Sequence, residues 1–171
     1  SWDVDGKVVT FHLRDDGRWT NGDPVTAHDF EYSWKRTLDP KLAADYAYQL
    51  YGIVGAEAYN NAKPAQAAAL RDKVGVKAVD DRTLQVTLTS AQPWFVQQMA
   101  HHSFLAVHKP TVEKHGTKWT EPRNIVTNGK EPVELESLGD VTQPGALGPH
   151  LREPLAEQPN LASAHRKQPE D

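Results

Sequence analysis

The chain has 171 residues, 38% of them hydrophobic and 25% charged, and a formal net charge of −4 at pH 7; this is the size and polarity of one globular domain with a real core. Lys and Arg number 19 against 23 Asp and Glu, which excludes the basic excess of a nucleic-acid binder, and no apolar run approaches the length of a membrane-spanning helix. The absence of cysteine excludes disulfides and thiolate metal sites and suits an exported protein.

Ser1-Trp2-Asp3-Val4-Asp5-Gly6 does not join a basic region to an apolar one, so neither a signal peptide nor a lipid-attachment cysteine is expected in this chain. Lys7 to Arg14 alternates, with Val9, Phe11 and Leu13 pointing one way and Val8, Thr10 and His12 the other, and predicts a half-buried strand. Asp15-Asp16-Gly17 and Asn21-Gly22-Asp23-Pro24 are turn sequences. Thr26 is an N-cap with a carboxylate, Asp29, three residues on, and the helix it opens runs from Ala27 to Leu38. Phe30, Trp34 and Leu38 share one face of that helix and belong to the core, and Asp39-Pro40 ends it.

Ala43 to Tyr51 and Ala56 to Asn61 read as short helices, and Ala65 to Lys73 as another, entered after Pro64. Val74 to Asp80, an Asp81-Arg82 turn and Thr83 to Leu88 form a hairpin, with Leu84, Val86 and Leu88 inward. Pro93 opens a helix over Trp94 to Ala100, Phe104 to Val107 is expected as a short strand, and Lys109-Pro110 starts a last helix ending at Gly116. Strands and helices are interspersed, which predicts a mixed α/β fold.

Every Trp, Tyr and Phe lies in 1–129, while 130–171 carries six of the twelve prolines and eight carboxylates against Lys130, Arg152, Arg166 and Lys167. Such a stretch buries too little apolar surface to offset its ordering entropy, so it is expected to be a disordered acidic tail.

Candidate chemistry is sparse. His101, His102 and His108 are the metal-ligand candidates, and with them a metal-dependent hydrolase is one reading; yet adjacent histidines point in different directions, and neither a His-x-x-x-His pair nor an HExxH motif occurs. Solvated or capping roles account for these histidines better. Ser33, Ser90 and Ser103 lack a GxSxG setting, and Asp15-Asp16 and Asp80-Asp81 sit beside turns that explain them. Tyr46 and Tyr48 are too close in sequence to share a helical face. At least one is therefore free of the core and available to a ligand or a neighbouring domain, although burial with a bonded hydroxyl is the commoner fate of a tyrosine. The residues point to a binding or structural module rather than an enzyme.

A resemblance sharpens this reading. Thr10-Phe11-His12-Leu13-Arg14, the run from Trp19-Thr20-Asn21-Gly22-Asp23-Pro24 through Val25-Thr26-Ala27-His28-Asp29-Phe30, and Tyr32-Ser33-Trp34-Lys35-Arg36 come in that order. Leu38-Asp39-Pro40, Tyr46-Ala47, Gly75-Val76-Lys77-Ala78-Val79-Asp80-Asp81, Thr83-Leu84-Gln85-Val86-Thr87-Leu88, Val112-Glu113-Lys114, Lys118-Trp119 and Asn124-Ile125-Val126-Thr127-Asn128-Gly129 follow. Together they resemble the extracellular solute-binding protein family 5, which includes oligopeptide- and dipeptide-binding proteins, and most resemble its oligopeptide branch.

The resemblance implies a fragment of a type II periplasmic-binding-protein-like fold, mainly the extra small domain of the large peptide-binding class, with a small mixed sheet and flanking helices. It implies a non-enzymatic subunit of an ABC importer that captures oligopeptides outside the cytoplasmic membrane, in the periplasm or anchored at the cell surface, and delivers them to membrane permease subunits. Recognition would run through strand-like backbone hydrogen bonds and hydrated side-chain pockets. No cofactor, no nucleic acid and a monomeric state are expected. Tyr46 matches a tyrosine that contacts the peptide in the oligopeptide branch. Relatives binding nickel complexes, haem or sugars, and sensor domains of regulators, are the alternatives within the family. Family members are much longer, and after Asn128-Gly129 they continue with an aromatic-containing strand where this chain turns to Lys130-Glu131-Pro132. A frameshift or truncated gene would explain that departure. The cleft is therefore expected to be incomplete, and peptide binding by this chain alone weak or absent.

Overall fold

The computed structural model describes residues 1, 3 and 5–128. The boundary expected at 129/130 and the tail expected over 130–171 lie outside the described residues.

Three strands form one sheet: β1 (Val8–His12), β2 (Val76–Ala78) and β3 (Thr83–Thr87), in the order β1-β3-β2. The register sets apolar residues side by side across all three strands. Val9 and Val76 flank Val86, and Phe11 and Ala78 flank Leu84. Cross-strand rows of this kind stabilise a sheet through packing on one face. Val9, Val76, Val86 and Leu84 are buried, while Phe11 and Leu13 pack against the core from its margin. The sheet expected as mixed is antiparallel at both pairings; for β2 and β3 the link over 79–82 is far too short for a parallel crossover. Arg82 N–H donates to Asp80 Oδ1 at 2.8 Å within that link. This bond is the main reason the Asp80 carboxyl lies below its ordinary range, in keeping with turn chemistry.

Both outer edges of the sheet are covered. Thr10 N–H donates to the Ser1 carbonyl (2.8 Å) and Asp3 N–H to the Val8 carbonyl (2.9 Å) beside β1. On the far side, Ala78 N–H donates to Glu31 Oε2 at 2.8 Å. Glu31 belongs to α1 (Ala27–Thr37), so the helix that packs on the sheet also caps its edge.

The start of α1 is built as its sequence predicts. Asp29 Oδ2 accepts hydrogen bonds from Thr26 N–H (2.9 Å), the Thr26 hydroxyl (3.1 Å) and the Trp19 indole (3.2 Å). The core face carries Trp34 and Leu38, both fully buried, with Phe30 at the margin. Trp34 meets Phe30 and Phe104 edge-on, at centroid separations of 6.5 and 5.3 Å, the arrangement favoured by aromatic quadrupoles.

The remaining helices are α2 (Ala56–Asn60), α3 (Pro64–Arg71), α4 (Phe95–Gln98) and α5 (Lys109–His115). Over 43–51 the expected helix is reduced to a 3₁₀ helix, Ala47–Leu50. Ala43 has φ of 50°, and an L-residue in the left-handed region interrupts a right-handed helix. The strand expected over 104–107 does not form. A second 3₁₀ helix, His102–Phe104, runs instead into an extended segment. Side chains of α1 take the place of a strand partner: Ser33 Oγ accepts the Val107 N–H at 2.8 Å, and the Trp34 indole donates to the Phe104 carbonyl at 2.8 Å. No helix among the described residues is long and apolar enough to cross a membrane.

Candidate functional site

Short 3₁₀ helices repeat every three residues, so Ala47 and Leu50 fall on one side of theirs and are buried at 3% and 0% exposure. The residues between and before them are turned outward. Tyr46 is 46% exposed and Tyr48 53%, so both tyrosines stand clear of the core, where at least one was expected to. Their ring centroids lie 6.1 Å apart.

Two imidazoles complete the group. Tyr46 lies 5.4 Å from His101 and 5.2 Å from His102, the latter nearly edge-on, and the two imidazoles are 4.1 Å apart. The segment that brings them is held from below. Phe104 is buried between Trp34 and Phe95. Ser103 N–H donates to His101 Nδ1 at 3.3 Å, and the Ser103 hydroxyl reaches the Tyr46 carbonyl at 3.4 Å, across 57 residues of sequence. A second clasp joins α4 to the first 3₁₀ helix, where Gln98 Nε2 donates to the Gln49 carbonyl at 2.8 Å and to Gln49 Oε1 at 3.3 Å.

The result is an outward group of two phenols and two imidazoles on a buried footing. Such a surface offers flat faces for stacking and in-plane donors and acceptors. Such chemistry suits recognition, and the backbone that carries these rings is already fixed.

The other candidates go elsewhere. His108 is buried, with Nδ1 at 2.7 Å from Thr111 Oγ1 and Nε2 at 3.0 Å from Asp23 Oδ2, and it packs against Trp19 at 5.3 Å. It does not join His101 and His102. Among the described residues no group of three or more His, Cys, Asp or Glu side chains is arranged to hold a metal ion. The Ser33 hydroxyl donates to the Asp29 carbonyl at 2.6 Å, a structural role. From the sequence, spacing marks Tyr46 or Tyr48 as free of the core, and the family resemblance selects Tyr46. Its meeting with His101 and His102 is a tertiary contact with no local pattern to announce it.

The family model for bacterial extracellular solute-binding proteins, family 5 Middle, matches residues 1–130. The periplasmic oligopeptide-binding protein OppA of Escherichia coli K12 is 49% identical over 133 residues, covering 75% of this chain and 23% of that protein. The oligopeptide-binding protein OppA of Bacillus subtilis 168 is 48% identical over 127 residues, covering 73% and 22%. Among solved structures, the substrate-binding domain of an oligopeptide ABC transporter from Bacillus anthracis matches with a TM-score of 0.69 at 44% identity, covering 75% of this chain and 24% of that one. Listeria monocytogenes OppA bound to peptide matches with a TM-score of 0.66 at 35% identity, covering 75% and 25%. The chain thus spans about a quarter of the length of these relatives.

Proposed function

This chain belongs to the bacterial extracellular solute-binding proteins, family 5, and from that membership we propose that it is part of a peptide-capturing subunit of an ABC importer. Its mixed α/β fold is a fragment of the type II periplasmic-binding-protein-like fold. Within it, residues 1–129 act as a partial domain, mainly the small extra domain, that supplies one wall of a peptide cleft. The complete subunit works outside the cytoplasmic membrane, binds oligopeptides without chemical change and hands them to a permease.

The observation that carries this reading is the exposure of Tyr46 on a fixed backbone, ringed by Tyr48, His101 and His102. Residues that make an apolar body with a polar edge normally bury that body. Here buried Leu50 and Phe104 hold the rings outward instead. A peptide laid against this wall would find ring faces for its side chains and hydroxyl or imidazole edges for its backbone. The wall alone buries one side of a ligand, so tight capture requires the opposing lobes of the longer relatives.

Grafting tests the assignment. Residues 1–128 of this chain replace the matching stretch of the E. coli relative, and affinity for a tripeptide is measured by calorimetry. The graft is expected to bind peptide, and Tyr46→Ala within it to weaken binding about tenfold, a change worth about 1.4 kcal/mol. A graft that folds and binds equally well with and without the Tyr46 ring contradicts the role given to Tyr46.

A further inference from the structure

Over residues 1–129 cations and carboxylates are equal in number, yet they are unevenly placed. Arg36 in the last turn of α1, Arg71 in the last turn of α3 and Lys41 in the loop after α1 line one hollow of about 450 Å³, together with Tyr32, Lys35 and Asp39. Lys35 is neutralised by Glu31, 2.7 Å away. Arg36, Lys41 and Arg71 take part in no ion pair among the described residues. Asp39, the one carboxylate of the lining, turns Oδ1 to the Lys41 backbone N–H at 2.9 Å. Arg36 also lies over the Trp119 ring, 5.7 Å from its centroid, a contact that holds a guanidinium in place. Burial raises the Tyr32 phenol and Arg36 draws it back down, with Glu113 adding to the rise and Arg71 to the fall.

Cations in a last helical turn complement the helix dipole. That accounts for Arg36 and Arg71 one at a time. It does not account for two helices and a loop directing three cations outside any ion pair among the described residues into a hollow that holds one carboxylate. A single carboxylate would saturate one guanidinium fork. Phosphate presents more acceptor oxygens and up to two charges, enough to meet two forks and an ammonium together.

We propose that this hollow binds a phosphate-type oxyanion, with Arg36 and Arg71 as forked donors and Lys41 as a point charge. None of its lining residues belongs to the Tyr46 group, so this site is separate from the peptide wall and does not rest on that reading. The phosphate is that of a soluble phosphate or diphosphate, or of a phospholipid headgroup, and the two arms of the test distinguish them.

The test uses the full 171-residue chain. Pyrophosphate is titrated by calorimetry at low ionic strength. In a second arm, sedimentation measures binding to phosphatidylcholine vesicles with and without phosphatidylglycerol. Saturable binding of either probe is expected, weakened about tenfold or more in an Arg36→Gln/Arg71→Gln double variant and unchanged in Arg14→Gln, since loss of a charge-assisted bond is worth at least that much. Binding of pyrophosphate alone identifies a soluble ligand, and binding of the anionic vesicles alone a headgroup. If the double variant melts lower than wild type in chloride, Lys41→Gln, on the loop, provides the comparison, with weaker binding again expected. Absence of saturable binding in both arms, or equal binding by wild type and variants, overturns the proposal.

Discussion

The indole N–H of Trp34 donates to the carbonyl of Phe104 at 2.8 Å, joining residues 70 positions apart. One bond does two things here. It satisfies a buried carbonyl that has no strand partner, and it ties α1 to the segment that carries His101 and His102 towards Tyr46. Trp34→Phe keeps most of the ring packing but strands that carbonyl, and is expected to cost about 1–3 kcal/mol. Trp34→Ala adds a cavity and is expected to cost about 3–5 kcal/mol. Urea denaturation of the chain checks both, and a Trp34→Phe midpoint equal to wild type would remove the bond from the account.

Glu31 links α1 to the sheet edge through Ala78 and to Lys35 along the helix, with contacts of 2.8 and 2.7 Å. Burial by itself would raise this carboxyl, but the Lys35 and Ala78 hydrogen bonds outweigh it, and the group lies below its ordinary value of 4.5. A depressed folded value means that the carboxylate contributes stability above the unfolded value and loses it as pH falls through the folded one. Glu31→Gln is therefore expected to cost about 1 kcal/mol or less at neutral pH, with the gap to wild type closing in acid. Glu31→Ala also orphans the Ala78 N–H and is expected to cost about 1–3 kcal/mol. Stability measured across pH 3 to 7 by chemical denaturation decides; a gap that widens in acid would show the sign to be wrong.

Gly55 sits at φ 73° before α2, and a Cβ there would lie 2.7 Å from the Lys73 carbonyl oxygen. Gly55→Ala therefore meets left-handed strain of about 1 kcal/mol and, in addition, a backbone collision worth about 1–3 kcal/mol. Gly22, at φ 91° with nothing within 4 Å of the added atom, isolates the first effect. Gly22→Ala is expected to lose about 1 kcal/mol only. Equal melting temperatures for the two variants would contradict the collision.

These contrasts show what the sequence makes legible. The capped start of α1 and the inward row Leu84, Val86 and Leu88 were readable because their signals are local: a Thr and an Asp three apart, and strict alternation. The strand expected over 104–107 failed for a tertiary reason. Its apolar run is real, but Ser33 and Trp34 of α1 satisfy its backbone groups in place of a neighbouring strand. The outward position of Tyr46 and Tyr48 was half readable, since spacing showed that both could not be buried on one helical face. The 3₁₀ helix follows Ala43 at a left-handed φ of 50°, which no residue preference for alanine announces. His101 and His102 drew notice as metal candidates, whereas the fold uses them as neighbours of Tyr46.

The proposed peptide wall at Tyr46 buries one side of a ligand and is insufficient alone for tight capture. The most direct measurement is a two-dimensional amide NMR titration of this chain with a pool of tri- to pentapeptides. Expected are small, fast-exchanging shifts centred on Tyr46, Tyr48, His101 and His102, with affinity no tighter than about millimolar, close to −4 kcal/mol. Sub-micromolar binding, or shifts centred away from those four residues, would contradict it.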